Sequence, residues 1–203
     1  MSGVRFGGVV LCGGQSRRMG RSKALLPFGN EVMLTRTVRT MGEAVGPMVV
    51  VAAPDQELPT LGEGVIVARD EVEGEGPLRG ISAGLRALDG QADAAFVSSC
   101  DVPFLSGAFV RCLLESLGDH DVAVAVAEGR HHPLAAVYRM NVLAKVDALL
   151  AAERRRPFFL FEQVDCVEVA EPALRKADPD LKSLWNMNTS EDYEAALREA
   201  GLG

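Results

Sequence analysis

Short runs of consecutive apolar, largely β-branched residues alternate along this chain with stretches of helical spacing, and that alternation excludes most architectures. The runs at 6–11 (FGGVVL) and 47–53 (PMVVVAA) read as strands buried on both faces, because no polar residue recurs at every second position. A third run, GVIVAR at 64–69, and a fourth, ADAAFVSSCD at 92–101, continue the series. Between them, 32–41 has helical spacing, and GPLRGISAGLRALDG opens on Gly-Pro and stops at Asp89-Gly90. SGAFVRCLLESLG predicts a helix capped by Ser106 and closed by Gly118. DVAVAVAEG and HPLAAVYR read as strands, NVLAKVDALLAAERRR as an amphipathic helix capped by Asn141, FFLFEQV as a short helix and DCVEVA as a strand. The last helix takes Thr189 or Ser190 as its cap, with Glu191 and Asp192 in its first turn. Strands alternating with helices specify an α/β fold with a largely parallel sheet. The 203 residues show no repeat, low-complexity tract or linker, so 1–203 is expected to form one domain.

The charge balance narrows the partners. Lysine and arginine number 21 against 28 acidic residues, a formal net charge of -7, which argues against a nucleic-acid-binding face. No apolar run approaches the ~18 residues of a membrane span, and the first residues lack a signal-peptide layout. The four cysteines, Cys12, Cys100, Cys112 and Cys166, have no metal-ligand spacing and read as reduced thiols, small buried hydrophobes of a cytoplasmic protein. Positive charge is nevertheless clustered, at Arg17, Arg18, Arg21 and Lys23 and again at Arg154, Arg155 and Arg156.

In open α/β sheets, ligands lie beyond the carboxyl ends of the strands, near a reversal of strand order. Two loops therefore stand out: residues 12–23 after the first strand and 100–105 after the fourth. The first does not match GxxxxGK[ST], since five residues separate Gly14 from Gly20 and arginine follows. It does not match GxGxxG either, which excludes the usual dinucleotide loop. What it offers is a Gly-Gly turn, where backbone N–H groups can approach phosphate oxygens, then arginines and Lys23 to hold anionic charge. A solvated basic turn is the plainer alternative. In the second loop Asp101 is either a turn aspartate or a hard oxygen ligand for Mg²⁺; facing a phosphate loop, the metal reading is favoured.

At this point the residues resemble a known family. LCGGQSRRMGRSKALLPF is similar to the LxGGxSxRMGxDKxLLxF signature of the MobA-like nucleotidyltransferases. GPLRG, SSCDVPFL, HHPLAAVYR and NMNTSEDY resemble four further segments of that family, in the same order. The resemblance spans nearly the whole chain and implies a three-layer α/β/α, Rossmann-like (GT-A-like) fold. It also implies an activity: transfer of GMP from GTP to molybdopterin, with Mg²⁺ as cofactor and pyrophosphate released. Cytidylyl transfer, another phosphorylated acceptor, or a non-catalytic nucleotide-binding relative are the alternatives. Transient contact with cofactor-delivery or molybdoenzyme proteins goes with such a role.

Carried over by position, the resemblance puts Leu11, Cys12 and Gly13 on the guanine and ribose side. Gly14, Arg18 and Lys23 would contact phosphates, with Lys23 nearest the α-phosphate. Asp70 would face the nucleoside, and Gly76 and Gly80 would permit close ligand approach. Asp101 would hold Mg²⁺, and Asn186 and Asn188 would position the molybdopterin. Two departures stand out: Ser22 replaces the family's aspartate before the lysine, and VAAPDQ lacks the asparagine that often follows the second strand. His131 and His132 are open between substrate contact and structure. Arg154 to Arg156 are open between a helix-end role and phosphate docking, and Trp185 between core packing, which is favoured, and pterin stacking.

Overall fold

The computed structural model describes residues 3–13, 22–70 and 76–203. Strand β1 (Phe6–Leu11) is followed by a 3-10 turn (Lys23–Leu25), a hairpin of β2 (Pro27–Phe28) and β3 (Glu31–Val32), and helix α1 (Met33–Gly42). Then come β4 (Met48–Ala52), β5 (Ile66–Arg69), α2 (Pro77–Ala87), β6 (Ala94–Ser99) and α3 (Gly107–Ser116). The chain continues through β7 (Val122–Ala127), β8 (Arg130–Arg139), α4 (Leu143–Ala151), α5 (Phe158–Phe161), β9 (Cys166–Ala170), α6 (Glu171–Ala177) and α7 (Ser190–Glu199).

The main sheet has the order β5-β4-β1-β6-β8-β7-β9, and β8 alone runs against its neighbours. Side chains alternate between two cores. Val10, Val50 and Phe96 meet α1, α3 and α6 through Leu34, Met41, Phe109, Leu113 and Leu174. Val9, Val49 and Val97 meet α2, α4 and α5 through Leu78, Ile81, Leu85, Leu149 and Leu160. This is the expected three-layer arrangement, and it explains the continuous apolar runs: both faces of the central strands are buried.

Helix α2 lies close on β1 because two glycines one turn apart face the strand. A Cβ at Gly80 would stand 3.2 Å from Leu11 Cδ1, and one at Gly84 would run into the Val9 side chain. The connection from β1 leads to β4 and β5 on one side, and the chain then returns through α2 to β6 on β1's other side. The strand order therefore reverses between β1 and β6, where Leu11 pairs with Ser99 and Cys100 N–H donates to the Leu11 carbonyl at 3.1 Å. The crevice beyond these two ends is where the topology offers a ligand site.

Some local expectations need correction. Asn141 does not cap α4; it sits inside a 3-10 turn (Met140–Val142), and its amide donates to Asp121 Oδ1 at 2.6 Å. Arg154, Arg155 and Arg156 lie past the end of α4 at Ala151, so their side chains do not sit in its last turn. The β2–β3 hairpin and α6 escape the periodicity argument, because two-residue strands and a seven-residue helix are too short to show a period. Ser106 and Thr189 do cap: Ser106 Oγ accepts from Phe109 N–H at 3.2 Å, and Thr189 forms a reciprocal box with Asp192.

Candidate functional site

Three segments far apart in sequence converge at the β1/β6 crevice. Lys23, in the 3-10 turn after the glycine loop, places its ammonium 2.7 Å from Asp101 Oδ2 and 3.2 Å from Asn188 Oδ1. Asp101 lies two residues beyond β6, and its other oxygen accepts from Ser99 Oγ at 2.5 Å. Ser99 and Asp101 are both partly buried, and the ion pair is only 19% exposed at the Lys23 side chain and 15% at that of Asp101. Shielding from water strengthens a charge pair relative to one on the open surface.

The C-terminal segment is fixed from both sides. Met187 is fully buried, and its N–H donates to the Asp101 carbonyl at 3.0 Å. Its burial turns Asn186 and Asn188 outward on either side of it, both exposed. Asp192 accepts from the N–H groups of Asn188 at 2.8 Å and Thr189 at 2.9 Å, and these bonds hold its carboxyl below the usual range. The capping box of α7 thus also anchors the asparagine that reaches Lys23. Trp185 leans on Phe104, ring centroids 5.3 Å apart, which agrees with a packing role.

The remaining residues singled out in the sequence distribute as follows. Leu11 is buried and packs toward α2, filling the room that Gly80 leaves. Cys12 is buried, with its thiol donating to the Val51 carbonyl at 3.3 Å and pushed up to about 12 by burial. Burial likewise pushes the Cys100 thiol well up, so neither sulfur is a thiolate nucleophile at neutral pH. Gly13 approaches the end of β4: a Cβ there would stand 3.2 Å from Ala53 N. Asp70 follows β5 at the same edge of the sheet, its N–H donating to the Ala52 carbonyl at 2.9 Å. Gly76 caps α2 with φ +86°, a conformation that glycine adopts without strain. Gly14 and Arg18 lie outside the described residues.

A second group occupies the same carboxyl edge. β8 enters there, because Ala135 pairs with Ser98 and residues 131–134 run past it. His131 Nε2 is 2.7 Å from Glu168 Oε1, and its ring faces Phe161 at 5.4 Å. His132 is half-buried, which holds its imidazolium form down. Arg154 stacks over Phe159 at 4.7 Å, and the Arg155 carbonyl comes within 3.2 Å of where a Gly76 Cβ would be. The arginine stretch therefore borders the start of α2.

Two residues of the site escape a sequence reading. Ser99 has a visible signal, a hydroxyl at the end of the strand two residues before the carboxylate that it meets. Gln56 has none, because it sits in the irregular segment between β4 and β5. As for metals, no group of three or more His, Cys, Asp or Glu gathers into a cage among the described residues. One partly buried carboxylate just past a strand end, paired with Lys23, nevertheless suits Mg²⁺, which keeps several waters and takes few protein ligands. No helix among the described residues is long and apolar enough to cross a membrane.

The chain is similar to known proteins in sequence and in fold. The MobA-like NTP transferase domain model matches residues 8–167. A Mycobacterium tuberculosis (strain H37Rv) protein named probable molybdenum cofactor guanylyltransferase is 38% identical over 199 residues, 96% of this chain and 94% of the relative. Molybdopterin-guanine dinucleotide biosynthesis protein A from Archaeoglobus fulgidus superposes with a TM-score of 0.78 at 22% identity, over 97% of this chain and 98% of that one. The 2-C-methyl-D-erythritol 4-phosphate cytidylyltransferase of Thermus thermophilus superposes with a TM-score of 0.69 at 16% identity, over 95% and 98% of the two chains. The fold is thus similar to that of proteins named for different nucleotides, and by itself it does not select the base.

Proposed function

We propose, from the premise that the chain belongs to the MobA-like NTP transferase family, that it transfers GMP from GTP to molybdopterin and releases pyrophosphate. The observation that carries this reading is the meeting of Lys23, Asp101 and Asn188 at the strand-order reversal. Residues 1–203 act in it as one nucleotidyltransferase domain. A cytoplasmic setting goes with the four free cysteines.

In this reading an oxygen of the acceptor's terminal phosphate attacks the α-phosphorus of GTP. A new P–O bond forms as the bond to the pyrophosphate bridging oxygen breaks, and the electron pair leaves with pyrophosphate. A phosphate nucleophile is already anionic near neutral pH, so no general base is required. Catalysis then consists of alignment and charge neutralisation. Lys23 would neutralise charge on the α-phosphate, and Gly14 and Arg18 would hold the phosphates beyond it. Leu11, Cys12, Gly13 and Asp70 would border the nucleoside, with Gly76 and Gly80 permitting close ligand approach. Asn186 and Asn188 would orient the acceptor. Asp101 would hold Mg²⁺, which when bound supplies Lewis-acid stabilisation of the phosphates. The buried Cys12 and Cys100 thiols favour direct transfer over a cysteine-bound nucleotidyl intermediate.

The test is product analysis with each NTP, Mg²⁺ and molybdopterin. GTP is expected to give the guanine dinucleotide and stoichiometric pyrophosphate. Turnover with CTP and none with GTP would replace the guanylyl reading by the cytidylyl one.

A further inference from the structure

The irregular segment after β4 holds an amide whose bonds span the glycine loop. Gln56 Nε2 donates to the Cys12 carbonyl at 2.9 Å and to Ser22 Oγ at 3.3 Å. Gln56 Oε1 accepts from Ala53 N–H at 3.1 Å. One side chain thereby joins the strand end that enters the loop, the residue that leaves it, and the end of the neighbouring strand. Both N–H donors of a carboxamide are then committed, so this amide has no donor left for reading a base. Gln56 itself is braced: Arg69 donates to the Ala53 carbonyl at 2.7 Å and to the Gln56 carbonyl at 3.0 Å. The residue after Ser22 is Lys23, whose ammonium must reach Asp101, and Ser22 also accepts from Leu25 N–H at 3.1 Å to start that turn.

We infer that Gln56 is a positioning residue: it sets the span between Cys12 and Ser22 and so delivers Lys23 to the reaction site. Ser22 is its partner in this chain, a neutral hydroxyl acceptor where the family signature carries a carboxylate. The inference rests on reading the loop as nucleotide-binding.

Gln56→Met and Gln56→Glu keep the side-chain volume and remove both donors; the second variant guards against misfolding of the first. Hydrogen exchange on the ligand-free protein is the primary measurement. The Gly13 and Leu25 amides are expected to exchange at least ~10-fold faster in both variants, and the Ala53 amide in Gln56→Met, which alone removes its acceptor, while amides of β6 and β8 keep wild-type rates. In turnover, kcat/KM for GTP falls about 10- to 100-fold, because misplacing a group by an ångström is enough for such a loss. Ser22→Ala shifts the same quantities less and adds little in the Gln56→Met background, as expected of two ends of one interaction. Wild-type exchange at the three amides overturns the inference. So does faster exchange with unchanged kcat and KM, which would leave Gln56 a structural residue only. A chain inactive with every NTP sinks the transfer reading instead, and the exchange measurement on the ligand-free protein still decides whether Gln56 holds the loop ends.

Discussion

At the scale of the residue, the site depends on a single carboxylate that serves two partners. Asp101 takes Lys23 on one oxygen and the Ser99 hydroxyl on the other, so its orientation is set before any ligand arrives. Asp101→Asn keeps the shape and removes the charge. It is expected to lower Mg²⁺-dependent turnover by about 10²- to 10³-fold, the loss typical of one electrostatic contact to a transition state. Circular dichroism should remain that of the wild type, and turnover at the wild-type rate would remove Asp101 from the site. Ser99→Ala leaves the carboxylate but frees one oxygen to rotate. The Mg²⁺ concentration giving half-maximal rate should rise roughly 10-fold, in the range seen when a partner of a metal ligand is lost. Asp101 and Lys23 were legible in the sequence because each follows a strand and its charge has an evident use. Gln56 was not, because its importance lies in two bonds to groups distant from it along the chain, the Cys12 carbonyl and the Ser22 hydroxyl, with a third to the nearby Ala53 N–H.

At the scale of the element, two helices position the site by different means. Helix α7 does so by its start: the Thr189 and Asp192 box that satisfies its first N–H groups also fixes the backbone of Asn188. Thr189→Ala is expected to destabilise the protein by about 1 kcal/mol, read from urea unfolding with an unchanged slope. No loss would mean that Asp192 alone satisfies the turn. Helix α2 acts by its closeness to β1, and there the sequence could mislead. Glycine in a helix ordinarily weakens it, so alanine at 84 looks like an improvement. The added methyl would meet Val9 in a packed core, and Gly84→Ala should cost about 1–3 kcal/mol despite the better propensity. A stabilised variant would show that the helix can back away from the strand freely. The GPLRG segment announced a helix start; that its last glycine faces Leu11 emerges only when α2 lies on the sheet.

At the scale of the whole molecule, the two ends of the central strands are tied at the edge opposite the site. Arg5, just before β1, binds Asp93, just before β6, through its side chain at 2.9 Å and through its N–H at 2.9 Å. The guanidinium hydrogen bond, then the backbone one, hold the Asp93 carboxyl down at about 2, against an ordinary 3.8. A carboxyl depressed by folding contributes its stability above the ordinary value and loses it as pH falls toward the depressed one. The difference in melting temperature between wild type and Asp93→Asn should therefore be constant above about pH 5 and vanish between pH 3.8 and about 2. The pair is exposed, so molar salt, with a Debye length of about 3 Å, should shrink the difference at every pH. A difference that persists at pH 2 would assign the effect to packing instead.

The sequence by itself determined the layered α/β class, because strands buried on both faces must be apolar throughout and the helices covering them must be amphipathic. It also determined which residue types could handle phosphate and metal, since glycine, lysine and aspartate have those capacities wherever they sit. Only the tertiary structure decided that Lys23, Asp101 and Asn188 share one point, because that depends on where the strand order reverses. It alone decided that Gly80 makes room for Leu11, that the arginines of 154–156 lie beyond their helix, and that Gln56 bridges the glycine loop. The arginines follow a local helix end, but the other three share one physical reason. Local composition fixes what a residue can do, while distances between segments far apart in the chain are fixed by packing and pairing, which no local pattern encodes.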